Sequence, residues 1–429
     1  MFKLNSIHIS GFWQKRTATA SFRDDVNIII GRNGTGKTTF MNIVQAVLTV
    51  DVDAIYDNFF DSVTIMLSEG KKKRTIRADR RDPGNLPFPI IEYHISNHKF
   101  SIPLVSSDGD RGAHCPSLRR RAAEEAHRIR QELSNIVAIA SLSVYRTSGE
   151  ADPDFRERLP RRHVSTVDQR LMTLTQRLTQ YQLELSNAAR EISTQLQRDV
   201  LTSLLYTEDK KSRSHGYNLN YDEATEKKNL ILAYKQLGVG GSDVAKKIQN
   251  HISSVGKAIN NVHSLSNKNE NNYSVKANFA VDFAALEASK LIDTVVAKSL
   301  SAEKRTKEIF SQLDLFFSTL RSFITEKSFF FRDGELAIES KEELPLSKLS
   351  SGEKQLLILF IEALLQRQRP YIFLADEPEL SLHIAWQKNI LTATRLINPN
   401  AQIVVATHSP EIAGKFRNCI LDMENILHA

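Results

Sequence analysis

The spacing of hydrophobic and polar residues changes three times along this chain of 429 residues. The first part predicts two strands and then a short β-rich run, Val26–Ile30, which ends at Gly31. A helix is expected to begin at Thr38, because the apolar residues after it recur at helical spacing. Between residues 62 and 104 apolar and polar residues alternate, which predicts antiparallel strands.

A different period begins at Val164, from which apolar residues recur at alternating intervals of three and four residues. Such a heptad seam is typical of a coiled coil, and residues 283–324 carry apolar positions that can return antiparallel to it. The pattern leaves open whether this insert is a projecting arm or a plain helical subdomain. The seam consists of Val164, Val167, Leu171, Leu174, Leu178, Tyr181, Leu185, Ala188 and Ile192.

The last part of the chain combines a hairpin with a regular alternation of helices and strands. Asp333-Gly334 is a turn sequence between two short β-rich runs and predicts a β-hairpin. From Leu346 onward helices alternate with apolar strands, as in a doubly wound sheet.

Composition narrows the class of protein. Charged residues make up 25% of the chain. No window approaches about 18 consecutive apolar residues, so no membrane association is expected. The first residues lack the features of a secretory signal. Cys115 and Cys419, the two cysteines, lie too far apart in sequence for a disulfide framework or a cysteine-based zinc site to be expected. We therefore expect a cytoplasmic protein.

The net charge of +7 is concentrated in three basic clusters. They lie at residues 71–81, 119–130 and 156–162. Such clusters can bind a phosphate backbone or an acidic protein that imitates DNA, but basic runs also serve solubility alone. Charge by itself therefore leaves nucleic-acid binding open.

The segment from Gly31 to Thr38 matches G-x-x-x-x-G-K-[ST] between an apolar strand and a helix. Glycines in such a loop let backbone N–H groups face phosphates, and the helix N-terminus adds its dipole. Lys37 is expected to hold the β- and γ-phosphates of ATP, and the Thr38 hydroxyl to bind Mg²⁺. The predicted ATP-binding residues of this loop are Asn33, Gly34, Gly36, Lys37, Thr38 and Thr39.

Two further apolar strands end in residues suited to hydrolysis. The first delivers Asp376, predicted to bind Mg²⁺, and Glu377, predicted to polarise the water that attacks the γ-phosphorus. The second ends at Thr407-His408, where the histidine is predicted to contact the γ-phosphate. Glu377 and His408 are thus the predicted catalytic residues.

Leu349-Ser350-Ser351-Gly352-Glu353 resembles the ABC signature L-S-x-G-[EQ] and precedes a predicted helix. The resemblance implies that Ser351, Gly352 and Glu353 contact ATP bound by a second copy of the chain, so that ATP joins two heads. The alternative is a helix N-cap without a ligand.

Residues 381–383 occupy the segment through which such proteins pass information between subunits, although His383 equally fits an exposed helix start. No glutamine loop can be assigned, because Gln45 lies too early, within the first helix.

Together these motifs resemble those of the ABC-type ATPases of the RecF, SMC and OLD group, and they lie in the two end regions of the sequence. The run D-E-P-E-L-S-L-H is most similar to the OLD-like branch. The resemblance implies an α/β fold, a P-loop ABC-type ATPase head with a mixed sheet, helices and an antiparallel β subdomain. A helical or coiled-coil insert interrupts that head. The expected domains are 1–160 and 328–429 for the two halves of the head and 161–327 for the insert.

Two functions are compatible with this resemblance. There is no C-x-x-C hook motif, and too few residues follow His408 for a Toprim nuclease domain, so the chain resembles stand-alone anti-phage ATPases such as AriA of PARIS and PtuA of Septu. That resemblance implies a homodimer formed through ATP and Mg²⁺, or a higher homo-oligomer, that senses DNA or an acidic phage protein and controls a separate nuclease effector. The alternative is a RecF-like ATPase clamp that binds DNA during repair.

Overall fold

The computed structural model describes residues 1–84, 88–104, 116–142, 165–203, 222–238, 241–266, 283–339, 345–380 and 382–428. Contacts divide the chain into two compact units, Met1–Gln180 with Leu313–Ala429, and Tyr181–Gln312. The expected domain limits at residues 160 and 327 remain predictions. No helix of the described residues is long and apolar enough to cross a membrane.

From Leu346 onward helices and strands alternate, as the sequence pattern predicts. The strands are β1 (Lys3–Phe12), β2 (Arg16–Ser21), β3 (Val26–Ile30), β4 (Ser62–Glu69), β5 (Lys72–Arg81), β6 (Ile90–Ile95), β7 (His98–Pro103), β8 (Ile139–Leu142), β9 (Ser328–Arg332), β10 (Glu335–Glu339), β11 (Tyr371–Asp376), β12 (Ala401–Ala406), β13 (Ile420–Asp422) and β14 (Leu427–His428). The helices are α1 (Lys37–Thr49), α2 (Val52–Asp57), α3 (Pro116–Ile136), α4 (Thr166–Ser203), α5 (Glu223–Gln236), α6 (Ser242–Ser266), α7 (Phe283–Phe323), α8 (Ser351–Leu365), α9 (Ile384–Gln387), α10 (Ile390–Ile397), α11 (Pro410–Gly414) and α12 (Met423–Ile426).

A five-stranded parallel sheet in the first unit brings distant parts of the sequence together. Its order is β13-β3-β12-β11-β8. The side chains of β11 and β12 are buried along their whole length, as expected for parallel strands covered on both faces. The carboxyl ends of β3, β12 and β11 lie in register, with Asp376 beside Ala406 and Ala406 beside Ile29. The residues that directly follow these three strands therefore lie at the same edge of the sheet.

An antiparallel sheet of order β14-β2-β1-β4-β5-β6-β7 stands beside it in the same unit. Val63, Ile65 and Leu67 of β4 are buried, so every second residue faces the core, which confirms the alternation predicted for residues 62–104. The α/β class with an antiparallel β subdomain is confirmed. Parallel and antiparallel pairing occur here in separate sheets.

The main core lies between the two sheets and includes one face of α1 and of α3. Helix α1 begins at Lys37, one residue before the predicted start, and its predicted apolar face is buried: Phe40, Ile43, Val44 and Val47. Strands β9 and β10 form the predicted hairpin, with Arg332 opposite Glu335. Its turn residues Asp333 and Gly334 have φ of 51° and 86°, as a type I′ turn requires.

Long helices form the insert region. Helix α4 contains most of the predicted heptad seam, and Leu171, Leu174 and Leu178 are buried, whereas Val167 is 39% exposed. Val164 lies outside the described residues. The second unit has a small core of its own, formed by Leu230, Ala233, Ile248, Ile252 and Val296. The helical character of the insert is confirmed, and the choice between arm and subdomain stays a prediction.

Candidate nucleotide-binding and hydrolysis site

The loop between β3 and α1 has the backbone of a phosphate-binding loop. Gly34 and Gly36 adopt φ of 81° and 94°, values that side chains with a Cβ rarely tolerate. Gly36 is also the N-cap of α1 and has no side chain to accept hydrogen bonds from the first turn. The N–H groups of that turn are therefore left for an anionic ligand. Asn33 and Gly34 are exposed at the tip of the loop, and Thr39 is half-buried behind it.

The side chain of Lys37 lies against the backbone of this loop. This side chain is buried, and its ammonium donates hydrogen bonds to the carbonyl oxygens of Gly31 at 2.9 Å and Arg32 at 3.1 Å. Burial lowers the pKa of Lys37, while the charges of Glu377 and Asp376 oppose that shift. The ammonium is thus held at the loop by weak neutral acceptors, which a phosphate can replace with stronger ones.

Asp376 lies buried at the end of β11 beside the start of α1. Burial raises the pKa of its carboxyl, against the opposing effects of a hydrogen bond with the Thr38 side chain and of the Lys37 charge. Within the part of the chain that the structure describes, the Oδ1 atom of Asp376 is buried and has no hydrogen-bond partner. A buried carboxylate oxygen in that state is destabilising unless a cation or donor reaches it.

These oxygens fit Mg²⁺. A hard cation prefers carboxylate and hydroxyl oxygens and keeps most of its shell for water and phosphate, so two protein ligands suffice. Among the described residues, no group of three or more His, Cys, Asp or Glu side chains could hold a metal ion. Thr38 and Asp376 remain the predicted protein ligands of Mg²⁺, together with the phosphates.

Glu377 and His408 face each other across the ends of β11 and β12. The Nε2 atom of His408 lies 3.8 Å from Oε1 of Glu377, and both side chains are partly exposed, at 39% and 31%. Glu377 has φ of 47°, a conformation that is rare for a residue with a side chain. Its N–H donates to the Ala406 carbonyl oxygen at 2.8 Å, which fixes this strained turn to the neighbouring strand.

The segment that resembles an ABC signature forms the start of α8. Ser350 is the N-cap, and it exchanges hydrogen bonds with Glu353 in a capping box. Glu353 also accepts a hydrogen bond from Lys327 at 2.5 Å. Burial disfavours the Glu353 carboxylate, but these hydrogen bonds prevail and lower its pKa. Gly352 is buried, whereas Ser350 and Ser351 are exposed.

The segment after Glu377 contains the remaining predicted positions. His383 is the N-cap of α9, where its Nδ1 accepts the Ala385 N–H at 3.3 Å, so it fits the helix-start alternative. Ser381 lies outside the described residues. Gln45 lies within α1, as expected, and offers no glutamine loop.

Some residues of the basic clusters form ion pairs or hydrogen bonds with neighbouring residues. On β5, Arg77 contacts Asp79 at 2.8 Å, and Arg81 contacts Glu92 at 3.0 Å. On α3, Arg130 donates to the carbonyl oxygens of Thr49 and Val50 at the end of α1. Lys71, Lys72, Lys73 and Arg74 are exposed. The cluster at residues 156–162 lies outside the described part of the chain.

A family comparison agrees with this geometry. The model of the family described as AAA ATPase domain matches residues 2–413. The chain belongs to the AAA ATPase domain family. Membership implies the use of a nucleotide, typically with Mg²⁺, and supports ATPase activity in general.

Solved structures similar to this AAA ATPase domain include heads of SMC proteins. That of Pyrococcus furiosus, bound to the C-terminal domain of ScpA, has 12% identity and a TM-score of 0.43 over 98% of this chain and 93% of that chain. That of Pyrococcus yayanosii has 15% identity and a TM-score of 0.40 over 98% and 95%. That of Thermotoga maritima has 11% identity and a TM-score of 0.37 over 96% and 91%. No curated relative matches the chain.

Three residues of the AAA ATPase domain lie at the site without having been predicted there. Phe12 and Trp13, at the end of β1 and in the following turn, pack so closely on Gly36 that an added Cβ would lie 3.0 and 2.9 Å from their rings. Glu379 accepts hydrogen bonds from Thr407 and from the two residues that follow it. The D-E-P-E motif was the only sequence signal that could have indicated Glu379 at the site, and no sequence signal indicated Phe12 or Trp13 there.

Proposed function

We propose that this AAA ATPase domain binds ATP with Mg²⁺ at residues 31–38 and hydrolyses it between two copies of the chain. The observation that supports this most is the buried Asp376, which lies close to Thr38 and Lys37. Its Oδ1 atom has no hydrogen-bond partner among the described residues. That arrangement is unfavourable in the free protein and becomes favourable once a cation is bound.

Each residue then has a distinct task. Lys37 leaves the carbonyls of Gly31 and Arg32 and binds the β- and γ-phosphates. Thr38 and Asp376 would hold Mg²⁺, which would supply positive charge to the phosphate oxygens when bound. Glu377 orients the attacking water and accepts its proton, and the adjacent His408 contacts the γ-phosphate.

The second copy supplies the signature segment. Ser351 is exposed at the N-terminus of α8, where N–H groups of a first helical turn can bind an anion. We propose that Ser351, Gly352 and Glu353 contact the nucleotide of the partner copy, with the Glu353 carboxylate holding the turn through Ser350 and Lys327. ATP then joins the two heads, and each complete site contains residues of both.

Complementation tests this arrangement. Lys37→Ala removes the phosphate ligand, and Gly352→Asp places a negative charge where the partner's γ-phosphate would lie, so each variant alone should lack ATPase activity. A mixture forms heterodimers in which one site keeps an intact Lys37 and an intact Gly352. We expect activity to return on mixing. A mixture as inactive as its components would contradict a site shared between copies.

Trapping the bound state provides a second test. Glu377→Gln should bind ATP without hydrolysing it and form a dimer in light scattering, whereas Lys37→Ala should stay monomeric with ATP. Equal oligomerisation of the two variants would refute the mechanism.

The cellular role that we propose is regulation of a separate nuclease in a bacterial anti-phage system, in the manner of OLD-like ATPases. It is supported by the D-E-P-E-L-S-L-H motif and by exposed basic residues such as Lys71–Arg74, which suit an acidic phage protein or DNA. The Glu377→Gln protein, purified from its native host with ATP, should retain a nuclease encoded nearby. Recovery of DNA fragments with repair factors would favour the RecF-like clamp instead.

A further inference from the structure

Glu379 connects the segment after β11 to the loop after β12. Its Oε1 atom accepts hydrogen bonds from Thr407 Oγ1, from the His408 N–H at 2.9 Å and from the Ser409 N–H at 3.1 Å. One carboxylate oxygen thus holds three consecutive residues, and the middle one is the predicted catalytic histidine.

The contact depends on an acceptor, because all three groups that face Oε1 of Glu379 are donors: the Thr407 hydroxyl and the N–H groups of His408 and Ser409. Thr407 is 1% exposed. The second carboxylate oxygen, Oε2, is buried and has no hydrogen-bond partner among the described residues. A negatively charged acceptor strengthens all three hydrogen bonds at the cost of burying this second oxygen.

Neighbouring residues extend the connection. Gln387 of α9 donates to the Leu382 carbonyl oxygen at 3.1 Å and accepts a hydrogen bond from the Ser409 hydroxyl at 2.8 Å. The Ser409 hydroxyl in turn accepts the Ile412 N–H as the N-cap of α11. The loop that carries His408 is therefore held on both sides, with Glu379 next to the histidine itself.

We propose that Glu379 is a positioning residue for ATP hydrolysis, which fixes the backbone of His408 so that its ring lies beside Glu377 and the γ-phosphate. The proposal rests on the ATPase function proposed above. Glu379 acts through His408, which lies in the loop after β12, so removing the Glu379 carboxylate would misplace the His408 ring. A misplacement of about 1 Å can reduce a rate by about 100-fold.

Steady-state kinetics of three variants test this role. Glu379→Ala should lower kcat by about 10-fold to 100-fold and leave the KM for ATP within about 2-fold. Glu379→Gln keeps an oxygen at the Oε1 position and should recover most of the lost kcat. Glu411→Gln serves as a matched control, because Glu411 is a nearby acidic residue that pairs with Lys388 at 3.2 Å, and it should leave kcat unchanged.

A double variant tests whether Glu379 acts through His408 or affects the rate of hydrolysis independently of it. If Glu379 acts through His408, Glu379→Ala/His408→Ala should be no slower than His408→Ala alone. Multiplied losses, or a loss that appears in KM instead of kcat, would overturn the proposal. If Glu379→Ala fails to fold, Thr407→Val removes one of the same hydrogen bonds and should give the same lowered kcat at unchanged KM. An unchanged kcat in that variant would also overturn it.

Different outcomes would refute the positioning role of Glu379 and the proposed ATPase function. An inactive wild-type protein would refute the proposed function. A fully active His408→Ala variant would refute the role of His408, and with it the role of Glu379, but not ATP hydrolysis itself. A slow His408→Ala variant beside a fully active Glu379→Ala variant would refute only the role of Glu379.

Discussion

Replacing Gly36 with alanine tests whether the rings of Phe12 and Trp13 shape the phosphate-binding loop. A Cβ at this position would lie 2.9 Å from Cζ2 of Trp13 and 3.0 Å from Cε1 and Cζ of Phe12, shorter than ordinary van der Waals contacts. Gly34→Ala is a matched control, because Gly34 has a similar φ of +81° but no atom within 4 Å of an added Cβ.

The two variants share one cost and differ in another. A residue with a side chain in the left-handed region loses about 1–2 kcal/mol, which applies to both positions. Overpacking adds about 1–3 kcal/mol, which applies only to Gly36. Phe12 is 0% exposed and cannot move away, whereas Trp13 is 43% exposed and can. We therefore expect Gly36→Ala to lose about 2–5 kcal/mol and Gly34→Ala about 1–2 kcal/mol.

Urea unfolding followed by circular dichroism, without nucleotide, measures this difference. Circular dichroism avoids relying on the fluorescence of Trp13, whose surroundings the substitution changes. Equal destabilisation of the two variants would show that the rings make no contribution at Gly36.

Three further predictions concern buried charges. Asp376→Asn should raise the melting temperature of the nucleotide-free protein while abolishing Mg²⁺-dependent hydrolysis, because burial raises the pKa of this carboxyl; a lowered melting temperature would contradict that. Lys327→Met should destabilise the protein by about 1–3 kcal/mol in urea unfolding, since it leaves Glu353 without its cation, and no loss in that variant would count against the pair. The lowered pKa of Glu353 gives stability that is present above its ordinary value of 4.5 and is lost as pH falls through the folded-state pKa. Thermal melts from about pH 6 to about pH 4 should therefore fall more steeply for the wild type than for Glu353→Gln, and parallel curves would refute this.

The sequence predicted those parts of the fold that depend on local patterns. The strand, loop and helix at residues 26–49, the strand at 371–376 and the Asp333-Gly334 hairpin follow from periodicity and turn residues within a few positions. The heptad seam was recognised, but its first described position, Val167, is 39% exposed. Local spacing carries no information on which partner covers a helix.

Contacts between distant residues could not be predicted in the same way. The distances from Glu379 to His408 and from Phe12 to Gly36 depend on strand order, which no local pattern specifies. Likewise, the basic run on β5 looked uniformly cationic, because the pairing of Arg81 with Glu92 depends on the neighbouring strand β6. Strand neighbours decide both the hydrolysis site and the surface charge.

The parallel sheet places a constraint on how the protein is made. Strand β3 precedes the phosphate-binding loop, but its two neighbours in the sheet are β12 and β13, which a ribosome synthesises after nearly all the rest of the chain. Until then the strand has no partner for its backbone hydrogen bonds, and such non-local pairing forms slowly. A nascent chain released before Ala401–Ala406 would expose this apolar strand to aggregation and require chaperone protection.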